Sequence, residues 1–151
     1  MSLIGVRGFS LIELVMVIFL IGVLSALGIG LFASRSAFSP LLASQQLASA
    51  TLLAQQAALA GNGASALRIE QTADSFRFVV GPGTALERGY ELAREGTSLS
   101  IVDHSLPLLL TFDAFGAPTG GVSLQLIFSG DSRFETCLSS LGAVYAGSCL
   151  P

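Results

Sequence analysis

The sequence predicts an α+β fold: a long N-terminal helix, membrane-spanning in its first half, packed on a small antiparallel β-sheet domain. Three observations predict it. Residues Leu14 to Ser34 form 21 consecutive uncharged positions. The apolar pattern changes near Ala64 from helical spacing to alternation, the period of a half-buried strand. Beyond that point Gly- and Pro-rich turn signals come too close together for crossover helices, which parallel strands would require. One domain is enough for 151 residues. With 52% hydrophobic and 11% charged residues, the chain has less than half the roughly 25% charge of an average soluble domain. That composition excludes disorder.

The first element runs from Phe9 to Ala33, with Glu13 as its one ionisable side chain. At 1.5 Å per residue, the uncharged stretch covers about 31 Å, matching a bilayer core of about 30 Å. A buried soluble helix is the bland alternative, and such helices are usually shorter. A signal peptide is the other, but its apolar core runs to about 7–15 residues. Cleavage at Ser34-Arg35-Ser36 would also put an arginine in the middle of the site.

From Ser36 to Ala60 the chain has no charge at all. Ser39-Pro40 reads as a capped helix start or restart. The Ala, Leu and Gln that follow favour helix, and Gly61-Asn62-Gly63 supplies a left-handed stop. Ala43, Leu47, Ala50, Ala54 and Ala57 form a narrow seam of mostly small side chains, with Gln45, Ser49 and Gln56 opposite. A surface helix normally shows a charged outer face. This one has none, so it is expected to pack on its own domain and on something else; a well-buried core helix is the alternative.

Fourteen of the 17 charges lie from Ala64 onward. Strands are expected at Leu67–Gln71, Ser75–Val80, Gly89–Arg94, Ser98–Val102, Pro107–Phe112, Val122–Phe128 and Arg133–Leu138. A last β segment is expected over Cys137–Tyr145. Cys137 and Cys149 lie 12 positions apart, and a bridge would be worth about 3 kcal/mol in the chain-entropy model. It needs an oxidising compartment, which beside a membrane span is the expected setting; two reduced thiols in a cytosolic domain are the alternative. Arg7 and Arg35 flank the span on opposite sides, so charge alone leaves the orientation undecided.

Glu13 is the residue that asks for a function. A carboxylate near the end of an apolar span costs a few kcal/mol and is by default functional. No basic residue lies within the next 21 positions, so a cationic partner would come from another segment or another chain. Were the chain cut after Gly8, Phe9 would carry an α-amino group able to pair with Glu13 of a neighbour. The alternative is a side chain that snorkels to the headgroups while favouring the helix N-terminus.

The junction Arg7-Gly8-Phe9-Ser10-Leu11-Ile12-Glu13 resembles the class III signal of type IV pilins and pseudopilins. In them a short leader ends in glycine and F-[ST]-L-I-E opens the apolar span. The resemblance covers the first 35 or so residues closely and the rest more loosely. It implies a leader at 1–8, a transmembrane helical half at 9–34, a second helical segment at 36–60 and a β domain at 64–151. By the same resemblance a prepilin peptidase cuts after Gly8 and N-methylates Phe9, while Glu13 guides docking into the filament. The implied partners are that peptidase, other pilin or pseudopilin subunits met through the helix, and an inner-membrane assembly platform. The implied topology is single-pass, with the N-terminus cytoplasmic and the β domain periplasmic or on the filament exterior. Many members carry a proline within the span; here Gly28 and Gly30 lie in that neighbourhood, and the first proline is Pro40. Leu110–Gly116 and Cys137–Tyr145 are similar to minor pseudopilins of the type II secretion H and FimT kind. The cysteine pair and the length are similar to the MshC group of minor prepilins from mannose-sensitive haemagglutinin (MSHA) pili.

No catalytic constellation is evident. Neighbouring side chains of Asp103-His104-Ser105 in a strand would point to opposite faces and cannot act in series as a triad. GNG and GPGT lack the lysine and spacing of a phosphate loop. Asp113 and Asp131 lack the dense acidic cluster of a calcium loop. Glu87, Glu91 and Glu95, with Arg88 and Arg94 between them, read as a solvated face. No cofactor is expected. Seven Arg, no Lys and a net charge of −3 disfavour nucleic-acid binding, which relies on neutralising phosphates. The functional expectation is a minor pilin or pseudopilin. The alternatives are a filament-displayed adhesion or DNA-binding module, or a plain membrane-anchored periplasmic domain.

Overall fold

In a computed structural model the described residues are 9–32 and 35–150, with the side chains of 29–37 excepted. Gly8 lies outside them. The chain divides into two compact units, one up to Arg35 and one from Ser36.

The first unit is helix α1, Leu11–Phe32. Its apolar residues fall on every side rather than in a stripe, and each side chain from Phe9 to Leu27 is exposed. A helix apolar all round calls for an apolar environment all round. Residues Leu11–Gly28 are long and apolar enough to cross a membrane.

The second unit pairs helix α2, Arg35–Leu59, with eight strands. These are β1 Ala66–Gln71, β2 Ser75–Val80, β3 Arg88–Ala93, β4 Ser98–Ile101, β5 Leu108–Thr111, β6 Leu124–Ser129, β7 Arg133–Leu138 and β8 Val144–Ala146. They form two four-stranded antiparallel sheets, ordered β3-β2-β1-β5 and β4-β6-β7-β8. The seven expected strands are all present, within two residues at each end. The last expected segment is instead broken. β7 stops at Leu138, and a turn closed by Ser139 N–H to Ala143 O (2.8 Å) and Gly142 N–H to Ser139 O (2.9 Å) leads into β8. Gly142, at φ 89°, takes a conformation that side chains with a Cβ rarely adopt.

One core serves both sheets. Ala43, Leu47, Ala50, Ala54 and Ala58 of α2 pack on Leu67, Ile69, Phe76 and Phe78 of one sheet and Leu126, Phe128 and Leu138 of the other. Phe76 meets Phe128 edge to face, with centroids 5.9 Å apart and planes at 82°, the geometry that ring quadrupoles favour. The small residues of the seam let the helix backbone come close to the sheets. Two details differ from the sequence reading. Ala58, not Ala57, completes the buried seam, because Thr51 and Gln55 are buried too and shift the face. Ser39-Pro40 does not begin the helix, for Pro40 lies inside α2. Ser39 is buried against the domain, and its hydroxyl donates to Arg94 O (3.2 Å) instead of capping. The stop is as expected: Asn62 N–H bonds Ala57 O (2.8 Å) and Gly61 N–H bonds Ala58 O (3.0 Å), with Gly61 at φ 66°. These are the two bonds of a Schellman motif.

Candidate assembly surfaces

At the start of α1, Phe9 and Ser10 precede the first helical turn. Ser10 N–H donates to Glu13 Oε2 at 3.1 Å. A glutamate three residues past a serine cap, reaching back to that residue's N–H, is half of a capping box. So Glu13 has a partner within its own chain, which the sequence reading did not foresee: the backbone donor at the helix start. The signal was present as S-x-x-E at residues 10–13. The carboxylate also sits where the helix dipole favours negative charge. Phe9, the first residue after the expected cut, is almost fully exposed.

On α2 the face away from the sheets is open. Phe38, Leu42, Gln45, Ser49, Leu52, Gln56 and Leu59 are all exposed. They recur at alternating intervals of four and three, the spacing of a helix-packing seam. Exposed apolar residues in that spacing leave room for a second element along the helix. Grooves flank it on both sides. One, of about 240 Å³, lies between Leu41, Ala48 and the β7–β8 pair at Phe134 and Tyr145. The other, of about 380 Å³, lies between Leu53, Gln56, Ala57 and the Val80–Arg88 end of β2 and β3.

The far end of α2 is fixed by Gln55, a polar residue 8% exposed. Its Nε2 donates to Gly116 O (3.0 Å) and to Gly142 O (2.5 Å). One side chain thereby joins the helix to a turn of each sheet. A Cβ on Gly142 would come within 2.3 Å of Gly116 O, so the junction requires glycine there. Phe115 and Leu141, the residues just before these two glycines, are 86% and 84% exposed.

Cys137 and Cys149 form a disulfide with Cα atoms 5.0 Å apart. Cys137 is buried in β7, and Cys149 N–H donates to Gln125 Oε1 at 2.5 Å. Leu150 N–H reaches the Tyr145 hydroxyl at 3.1 Å, so the tail is tied at three points.

The polar groups set aside earlier have structural employment. His104 Nδ1 lies 3.0 Å from Val102 O, and the residue is exposed at the end of β4. Asp113 Oδ1 accepts from Phe115 N–H (2.9 Å) and Ala117 N–H (3.0 Å), building its own turn. Glu87, Glu91 and Glu95 are all exposed, but only Glu91 lies in β3; Glu87 accepts from Gly83 N–H (2.6 Å), Glu91 accepts from the Ser75 hydroxyl (2.7 Å), and Glu95 sits in a turn at φ 44°. Arg94 is not a solvated charge. Its guanidinium bonds the carbonyls of Thr97, Thr72 and Ala73 (2.8, 2.8 and 3.2 Å) and lies 5.9 Å from the Phe76 ring centroid. Arg68 and Arg77 both pair with Glu70, and Arg133 pairs with Glu135.

Comparison with solved structures finds the type IV minor pilin FimU of Pseudomonas aeruginosa (strain PAO1) in two crystal forms. In one the TM-score is 0.56, over 78% of this chain and 92% of that one; in the other it is 0.53, over 72% and 92%. The chain has the fold of a type IV pilin. Identity to FimU is 15% in both cases, so the likeness is one of architecture. No model of a known protein family and no curated protein matches the sequence. Within the pilin fold, the apolar α1 and the stripe of α2 are exposed surfaces among the described residues.

Proposed function

We propose that the chain is a minor type IV pilin or pseudopilin, a structural subunit assembled into, or priming, a filament. In this reading a prepilin peptidase removes residues 1–8 after Gly8 and N-methylates Phe9. α1 first anchors the subunit in the inner membrane, with the β domain periplasmic, and is then delivered to the filament by the assembly platform. The observation that carries the reading is the Gly8-Phe9-Ser10-Leu11-Ile12-Glu13 junction opening an apolar, wholly exposed helix on a chain with the pilin fold. The uncharged stripe from Phe38 to Leu59 supports it, because a neighbouring helix would cover what water now meets. Glu13 fits the docking role electrostatically. Among the described residues its carboxylate holds the weak neutral donor of Ser10, and a charged amine from a neighbouring Phe9 would make the stronger, charge-assisted bond.

N-terminal tandem mass spectrometry on protein recovered from its native membrane tests the reading. A chain that begins at N-methylated Phe9 is the expected result. A chain that begins at Met1, or near Ser36, overturns it and leaves a plain anchor or a released β domain.

A further inference from the structure

Among the described side chains, Arg88 is the one arginine whose guanidinium has neither a hydrogen bond nor an ion pair. Arg68, Arg77 and Arg133 are paired with glutamates, and Arg94 is bound to carbonyls. Arg88 lines the 380 Å³ groove beside α2, whose other walls are uncharged: Leu53, Gln56, Ala57, Val80 and Leu86. An exposed cation at the edge of an apolar groove fits a small, net negative tip with a carboxylate left unpaired.

The same sheet presents such a tip at its opposite end. The register runs from Val80↔Arg88 to Ser75↔Ala93, so the β1–β2 turn and the end of β3 lie together, joined by Arg94 N–H to Asp74 O (2.9 Å). Asp74 and Glu95 are exposed there, and neither carboxylate has a partner; the third such side-chain carboxylate among the described residues, Asp103, follows β4 in the other sheet. Thr72, Ala73 and Gly96 around the tip are small and uncharged. The tip's own cation, Arg94, donates to the carbonyls of Thr97, Thr72 and Ala73 rather than to either carboxylate, which leaves the tip with one net negative charge. Ser39, bonded to Arg94 O, ties this end to the start of α2, whereas Leu53 and Ala57 place the groove at its end. Residues 39 and 57 are about 27 Å apart along the helix.

We infer that the Arg88 groove of one molecule receives the Asp74–Glu95 tip of a second copy, head to tail along α2. The two surfaces differ and lie at opposite ends, so the contact is heterologous and repeats without closing. It rests on the filament reading above for its purpose, and it supplies that reading with a partner, another copy of this chain.

The test uses the full chain, leader included, in detergent micelles at low salt, with tagged and untagged copies mixed and the untagged copy recovered with the tagged one quantified. Association through α1 is common to all samples and sets the baseline. R88E in both copies, or D74R/E95R in both copies, is expected to lower recovery above that baseline at least about tenfold, since like charges then face each other. Tagged R88E mixed with untagged D74R/E95R is expected to regain it, which misfolding or helix-driven association cannot imitate. Raising the salt should weaken the wild-type and swapped pairs alike. Unchanged recovery in either reversed pair, or no gain in the swapped pair, would overturn the inference. Because the leader is still present, that failure would leave processing at Gly8 untouched, and the mass spectrum of the native chain reads processing separately.

Discussion

The two helices are of similar length, 22 and 25 residues, and each carries a single ionisable residue, Glu13 in α1 and Arg35 in α2. They solve different problems. α1 has bulky apolar side chains on every face, and water meets all of them from Phe9 to Leu27. α2 concentrates small residues on one side, where they let two sheets come close, and keeps a stripe of Phe, Leu, Gln and Ser on the other. Low charge alone therefore does not define a membrane helix. The distinction lies in whether bulk is spread around the helix or sorted to one side of it.

Substitutions along this divide should separate the two roles. Tyr90 and Tyr145, the two tyrosines of a chain without tryptophan, both lie in the β domain, so their fluorescence in urea reports its unfolding alone. The largest effect is expected from Phe76→Ala, which empties the centre of the core beneath α2 and should cost about 3–5 kcal/mol; a loss under about 1 kcal/mol would mean that the core does not depend on the Phe76–Phe128 contact. Next comes Cys149→Ser, expected to cost about 3 kcal/mol, with mass labelling of one thiol after the substitution and none before. Gln55→Leu should cost about 2 kcal/mol, because the carbonyls of Gly116 and Gly142 lose their donor where water is scarce. If the variant matched wild type, the junction at the end of α2 would have to be held by something else. At the bottom of the scale, Leu20→Ala and Glu13→Val in α1 should each shift the domain's unfolding by less than about 0.5 kcal/mol. Glu13→Val should still insert in the membrane while recovering fewer filament partners on co-purification, and unchanged recovery would count against a docking role for this carboxylate.

The part of the architecture legible in the sequence is the part written in local periodicity. Phe76, Phe78 and Val80 alternate with Arg77 and Val79, and β2 lies at the residues that this alternation marks. Gly61 ends α2 because its conformational demand is local too. What was not legible depends on partners far along the chain. Gln55 looks like one more polar residue on a helix, yet its acceptors are carbonyls 61 and 87 residues away, and a carbonyl has no residue signature. Arg94 reads as surface charge for the same reason. Ser39-Pro40 misleads in the reverse direction, since a strong local cap signal is overridden once the hydroxyl is buried against Arg94 O. The division into two sheets rests on which strands pair across the chain, β1 with β5 and β4 with β6, which alternation cannot specify. At the start of α1 the bond from Ser10 N–H to Glu13 is legible as well, because the S-x-x-E spacing that marks it is local.

The C-terminal bridge has a mechanical side. Cys137 lies in β7, an interior strand of its sheet with β6 and β8 on either side, whereas β8 falls within the covalent loop that Cys149 closes. Tension applied to the end of the chain would pass through the sulfur atoms directly into β7. β8 would be bypassed and carry no load, and the short three-residue strand, otherwise the first to peel, would be shielded. To extend the domain from that end, the force would have to detach β7 from its neighbour β6, beginning at the pairs around Gln125↔Cys137.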